Sequence, residues 1–200
     1  MKSILLSIKP KWVAKILNGE KTIEVRKSNL KCDLPIDVYI YCTKDKELLH
    51  KNCADIYWVE DKDFKAKSKQ LGLQTQPILN GKVLFKFRCY KVEEIKTDGM
   101  NIFSIPIFYT DCVNYAMLQA RSCLNLAEID AYLKGKKGYA IHISDLEIFD
   151  KSKELNEFNR YHDKKNEHSA CWTCKRFGTG CMSCKLTKAP QNYCYIETEN

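Results

Sequence analysis

Between Pro10 and Arg26 the spacing of the apolar residues changes from helical to alternating, and Gly19 stands at the change. Pro10 has no N–H to lose and suits a first helical position, and Trp12, Val13, Ile16 and Leu17 then form one apolar stripe. A helix from about Pro10 to Asn18 follows. Gly19 tolerates the left-handed conformation that closes a helix, and residues 21–27 read as a strand. Ile23 and Val25 face one way along it, whereas Thr22, Glu24 and Arg26 face the other. That polar row either meets water or lines a cleft. The bland reading is a solvated face with a Glu24–Arg26 surface pair of little energetic value.

Further strands are expected over 3–8 and 36–43, with Pro35 placed where its missing donor is harmless. Residues 44–78 read as an insertion: Lys46 to Asn52 suggests a helical turn, Glu60 to Lys69 is charged and Gly72 to Pro77 is loop-like. From Gly81 onward Val83, Phe85, Phe87 and Cys89 alternate with Lys82, Leu84, Lys86, Arg88 and Tyr90, which predicts a long strand with a largely basic face. Residues 111–134 carry two helical segments. The second starts near Asn125, carries Leu126, Ile129, Tyr132 and Leu133 on one stripe, and is ended by Gly135 and Gly138. Residues 139–149 return to strand, as two strands or one bent one. The charged stretch 151–169, around Leu155 and Phe158, reads as a helix or a linker, and a cysteine-rich extension occupies 170–200.

Ile4-Leu5-Leu6-Ser7-Ile8-Lys9-Pro10, the helix after it, the Gly-x-Lys-x-x-Glu-x-Arg run of residues 19–26, Val38-Tyr39-Ile40-Tyr41-Cys42-Thr43 and Gly138-Tyr139-Ala140-Ile141-His142-Ile143-Ser144-Asp145-Leu146 together resemble an ASCH domain of the PUA-like superfamily, in the stand-alone form of bacteria and their phages. The likeness covers about residues 1–150. It implies an α+β fold with a small mixed β-barrel, flanking helices, and a cleft holding the motif residues that takes RNA or a nucleoside-like ligand. Ala189 to Ile196 resembles the closing segment of longer phage-type members, which suggests a tail that docks back on the barrel.

Charge agrees with such a partner. The net charge is +8, and residues 1–31 hold Lys2, Lys9, Lys11, Lys15, Lys21, Arg26, Lys27 and Lys31 against Glu20 and Glu24. Clustered cations are the footprint of a phosphate-backbone binder, although lysines on an exposed helix face also serve solubility. Candidate ligand-binding residues are Lys9, Trp12, Gly19, Lys21, Thr22, Glu24, Arg26, Tyr41, Thr43 and His142. Trp12 and Tyr41 offer ring faces for an unpaired base, but both suit core positions, Trp12 above all. His142, between Ile141 and Ile143, is as readily a satisfied structural histidine as a cleft residue. The apolar run at residues 4–6 is too short for a secretory signal or membrane span, so a soluble cytoplasmic protein is expected.

The motif also raises the question of catalysis. Lys21 and Glu24 form a candidate pair for acid–base work on RNA or a modified nucleoside. One small ASCH-like family hydrolyses an acetylated cytidine, and the resemblance implies its lysine at Lys21 and its nucleophilic threonine where this chain has Glu24. A carboxylate cannot replace that hydroxyl without an anhydride intermediate or a water-activating role. The expectation is therefore binding of RNA or a nucleotide, with a ribonuclease or nucleoside hydrolase as the alternative.

Five of the eleven cysteines lie in the last thirty residues. Cys171 and Cys174, then six residues later Cys181 and Cys184, form two Cys-x-x-Cys knuckles, a spacing suited to tetrahedral zinc. The short spacer leaves Cys194 or His168 as an alternative ligand. An odd cysteine count with the other six scattered argues against a disulfide framework.

Overall fold

The computed structural model describes residues 1–51, 56–60, 79–100, 106–161 and 184–198. Along them run β1 (Lys2–Ile8), α1 (Pro10–Leu17), β2 (Ile23–Arg26), β3 (Ile36–Cys42), β4 (Glu47–Lys51), β5 (Ile56–Glu60), β6 (Val83–Cys89), β7 (Val92–Met100), β8 (Pro106–Tyr109), α2 (Tyr115–Ser122), α3 (Leu126–Leu133), β9 (Gly138–His142), β10 (Ser144–Lys153), a 3-10 turn (Leu155–Glu157), β11 (Asn159–Arg160) and β12 (Tyr193–Glu197). The fold is mixed α+β. Its described strands form three sheets, with orders β10-β6-β3-β1-β12-β11, β2-β9-β7-β8 and β4-β5, and no closed barrel among them. The expected barrel is corrected accordingly: the six-stranded sheet runs out at β10 on one side and at the two-residue β11 on the other. No helix among the described residues is long and apolar enough to cross a membrane.

Contacts divide the chain into two compact units that interleave in sequence. The first comprises residues 1–14, 37–86 and 147–200. Its centre is β1, where Ile4, Leu5 and Leu6 are fully buried. A strand covered on both faces reads as a continuous apolar run, and this one pairs parallel with β3 and antiparallel with β12. The register Leu5↔Cys194 and Ser3↔Ile196 builds residues 193–197 into the same sheet as the first strand. The docked tail expected from the sequence is present in this form. Leu5, Tyr39, Val83, Phe158, Leu186 and Ile196 share one apolar cluster, in which the Phe158 ring meets Tyr39 edge-on at 5.4 Å between centroids.

Two local expectations fail here. The turn expected over Lys46–Asn52 is a strand, β4, paired with β5. Leu49 is fully buried, its N–H donates to Asn80 Oδ1 and its carbonyl accepts from Leu79, so tertiary pairing overrides a weak local helical preference. The helix or linker expected from residue 151 is instead the end of β10, the 3-10 turn and β11. Glu154 and Glu157 cap that turn reciprocally, which a charge count cannot reveal. Residues 162–170 lie outside the described set, as do the charged and loop-like stretches expected between 61 and 78.

The second unit comprises residues 15–36 and 87–146. The sheet β2-β9-β7-β8 packs with α2 and α3 around Ile23, Val25, Ile95, Phe108, Leu118, Ile129 and Leu133. Burying such side chains contributes about 1.5–3 kcal/mol each. Asn114 caps α2 by accepting from the Met117 N–H, and Asn125 with Glu128 forms a full capping box on α3. Gly138 lets β9 pass under α3, because a Cβ there would lie 2.7 Å from a Leu133 methyl carbon.

Candidate functional site

The motif lies within the second unit. Gly19 takes φ +74°, and the Lys15 carbonyl accepts from the N–H groups of both Glu20 and Lys21, so the chain turns back after α1 and sends Lys21 inward. Lys21 is 2% exposed. Its Nζ donates to the Ser122 carbonyl at 2.7 Å, at the C-terminal end of α2 where a cation is favoured, and lies 3.3 Å from Glu24 Oε2. Glu24, also buried, sets its other oxygen 2.9 Å from Arg26 Nε. The period-two row of the sequence holds in part: Glu24 and Arg26 join Lys21 in an ion triad largely shut away from water, whereas Thr22 of the same row does not belong to it. The surface-pair reading does not hold.

Thr22 is exposed, its N–H donating to the Arg121 carbonyl and its own carbonyl accepting from Ile143. The Cys123 thiol donates to the Glu20 carbonyl. Residues 20–22 are thus stitched to the end of α2 at three points. Beyond Arg26 the site reaches α3: Arg26 hydrogen-bonds the Tyr132 side chain, and Lys27 Nζ lies 5.0 Å from the centre of the Tyr132 ring. Burial pushes the Tyr132 hydroxyl pKa up while Arg26 pulls against it. Tyr132 as a residue is still 38% exposed.

His142 ends β9 opposite Ile23 and pairs through Nε2 with Glu93 Oε2 at 2.6 Å. Glu93 is buried, which raises its pKa. Hydrogen bonds from the Cys112 side chain and His142, with the charges of His142 and Lys91, outweigh that and hold the carboxyl below its ordinary value.

No protein-family profile matches the chain, and no curated protein sequence does. Among solved structures, ASCH from Zymomonas mobilis aligns over 98% of this chain and 87% of its own, at 12% identity and a TM-score of 0.50. The chain has the ASCH fold. Two single-site variants of the same Zymomonas mobilis protein, one Ser-to-Ala and one Tyr-to-Phe, align at 13% identity: the first covers 98% and 88% of the two chains at a TM-score of 0.49, the second 78% of each at 0.47.

Within this ASCH fold Lys9, Trp12, Tyr41 and Thr43 belong to the first unit. Lys9 is open to solvent, with Nζ 3.8 Å from Asp45. Trp12 is half-buried with Lys11 Nζ 4.7 Å from its ring centre. Tyr41 packs in the apolar cluster and burial raises its pKa, which makes it a core residue and no stacking surface. Thr43 donates its N–H to Ile8, and its carbonyl accepts from Asn80. The sequence did not single out Tyr132 or the Ser122 carbonyl. Tyr132 lay on the apolar stripe of α3 with no sign that Arg26 and Lys27 would meet it.

Of the cysteine ligands, Cys171, Cys174 and Cys181 lie outside the described residues, as does His168. Cys184 is 7% exposed. Cys194, on β12, packs against the first unit's apolar cluster, and burial pushes its thiol pKa up. Among the described residues no three or more His, Cys, Asp or Glu side chains are grouped to hold a metal.

Proposed function

We propose that this ASCH-fold chain binds RNA or a nucleotide at the edge of its second unit, where Arg26, Lys27 and Tyr132 meet, and that Lys21 and Glu24 are the frame beneath that edge. The observation that carries the reading is Tyr132, an open ring with a lysine ammonium over it and an arginine at its hydroxyl. An unpaired base stacks on such a ring for about 1–3 kcal/mol, and the flanking cations meet the phosphates. Lys134 and Lys136, exposed just after α3, add positive charge at the same helix end. Catalysis by Lys21 and Glu24 finds less support. An Nζ aimed at a carbonyl and a carboxylate held between two cations are directed at each other, away from a substrate.

The test is retention of a labelled single-stranded RNA, with prolonged incubation to look for product. Tyr132→Ala is expected to weaken binding about tenfold, and Lys27→Ala to weaken it while reducing the salt slope by about one. No product is expected. Unaltered affinity in both variants, or turnover lost in Lys21→Met, would overturn the reading.

We also propose a structural zinc ion held by Cys171, Cys174, Cys181 and Cys184. The donor set supports it, since two Cys-x-x-Cys pairs supply tetrahedral thiolate ligation, and Cys184 is placed out of solvent as a closed site requires. Cys194 suits its core position better than a ligand's. Metal analysis of the purified chain should return about one zinc per molecule, and none would remove the proposal.

A further inference from the structure

The six-stranded sheet ends at β10, which among the described residues is joined on one side alone, to β6. Along its other side the stretch from Glu147 to Lys151 is exposed at four of five positions, and Ile148 is 45% open to solvent. Such an edge offers unpaired N–H and C=O groups to any strand that can lie beside it. Successive side chains of a strand take opposite faces of the sheet. Glu147, 2.9 Å from Lys86 Nζ, shares one face with Phe149, whose ring centre lies 5.9 Å from that of Tyr39 and 4.8 Å from Lys153 Nζ. Alternation adds Lys151 to that face and gives Ile148 and Asp150 to the other.

We propose that this edge pairs with the same edge of a second copy of the chain, antiparallel and with Phe149 opposite Phe149, so that two sheets continue as one. A twofold contact needs a patch complementary to itself, because wherever residue i meets j, j also meets i. Pairing centred on a residue keeps each face of one copy with the same face of the other. Centring on Glu147, Asp150 or Lys151 sets a charge opposite its own copy, which destabilises the pair. Centring on Ile148 sets the Glu147 carboxylate opposite an aromatic ring. Centring on Phe149 sets Glu147 opposite Lys151 of the second copy, twice over, and brings the two Phe149 rings together. On the other face Ile148 then meets Asp150 of the second copy and lies diagonal to the second Ile148, within reach of it. The charge pattern of the edge therefore selects one register, and selects it for a copy of this chain. A contact confined to one strand is small and forms reversibly with concentration.

The test is sedimentation velocity of the full-length chain, free of nucleic acid, between about 1 and 200 μM. The average mass should rise from 23.3 kDa toward twice that value. Glu147→Lys and Lys151→Glu should each weaken the dimer about tenfold, since each sets like charges opposite one another at both symmetric positions. Mixed in equal amounts, the two variants should associate as wild type does, because each brings the charge that the other lacks. The double variant, with the two charges exchanged, should also dimerise. Both positions are exposed, so all three variants should keep the wild-type urea midpoint. A wild type that stays at 23.3 kDa throughout, single variants that dimerise as tightly as wild type, or a mixture that stays monomeric overturns the proposal.

Discussion

Two buried glutamates flank the same strand, β9, and have opposite surroundings. Glu24 on β2 lies between Lys21 and Arg26, whose side chains are 2% and 11% exposed. Glu93 on β7 lies between Lys91 and His142, at 46% and 18%. Each carboxylate is held between two basic groups, but one set is closed over and the other opens to water. A buried ion triad is costly to break, because removing one member strands a charge without solvent, whereas an open one can relax and exchange protons. The difference separates a set whose members depend on one another from a set whose members water can also satisfy.

The largest effect should come from Glu24. Glu24→Ala leaves Lys21 without its carboxylate, and a loss of about 3–5 kcal/mol is expected in urea unfolding. Glu93→Ala should cost less, about 1–3 kcal/mol, since Lys91 can turn to solvent. Equal losses would break the comparison.

A second prediction concerns pH. Glu93 is held below its ordinary value, so it binds protons less readily folded than unfolded. Its contribution is present above the unfolded carboxylate pKa of about 4.5 and is lost as pH falls through the lower, folded value. The stability gap between wild type and Glu93→Gln should therefore narrow as pH falls below about 4.5. A gap that widens below that pH contradicts the assigned partners.

A smaller effect should sharpen the role of α3. Tyr132→Phe removes the hydroxyl that Arg26 uses but keeps the ring, so about 0.5–1.5 kcal/mol of stability should go while most RNA retention stays. Least of all, Glu20→Gln, which breaks the 2.8 Å surface pair with Lys15, should leave the urea midpoint unmoved.

Much of this was legible in local pattern. The Gly19 switch, the alternation of β2 and the start of α3 at Asn125 depend on neighbours a few residues away, and the structure follows them. Local pattern does not report burial. Glu24 and Arg26 alternate as a solvated row would, and only the ends of α2 and α3 convert that row into an enclosed triad with Tyr132 at its rim. His142 shows the same limit, since its partner Glu93 sits on another strand. The missed strand at β4 and the missed β11 are held by long-range pairing, whereas short charged segments carry almost no period of their own.

The most direct measurement compares RNA affinity at constant salt for wild type, Lys21→Met and Tyr132→Ala, each corrected for its folded fraction. The account predicts that Tyr132→Ala binds about tenfold more weakly while folded Lys21→Met binds as wild type does. A full-strength Tyr132→Ala, or a folded Lys21→Met that has lost RNA, would place the ligand against the triad itself and contradict the division between frame and edge.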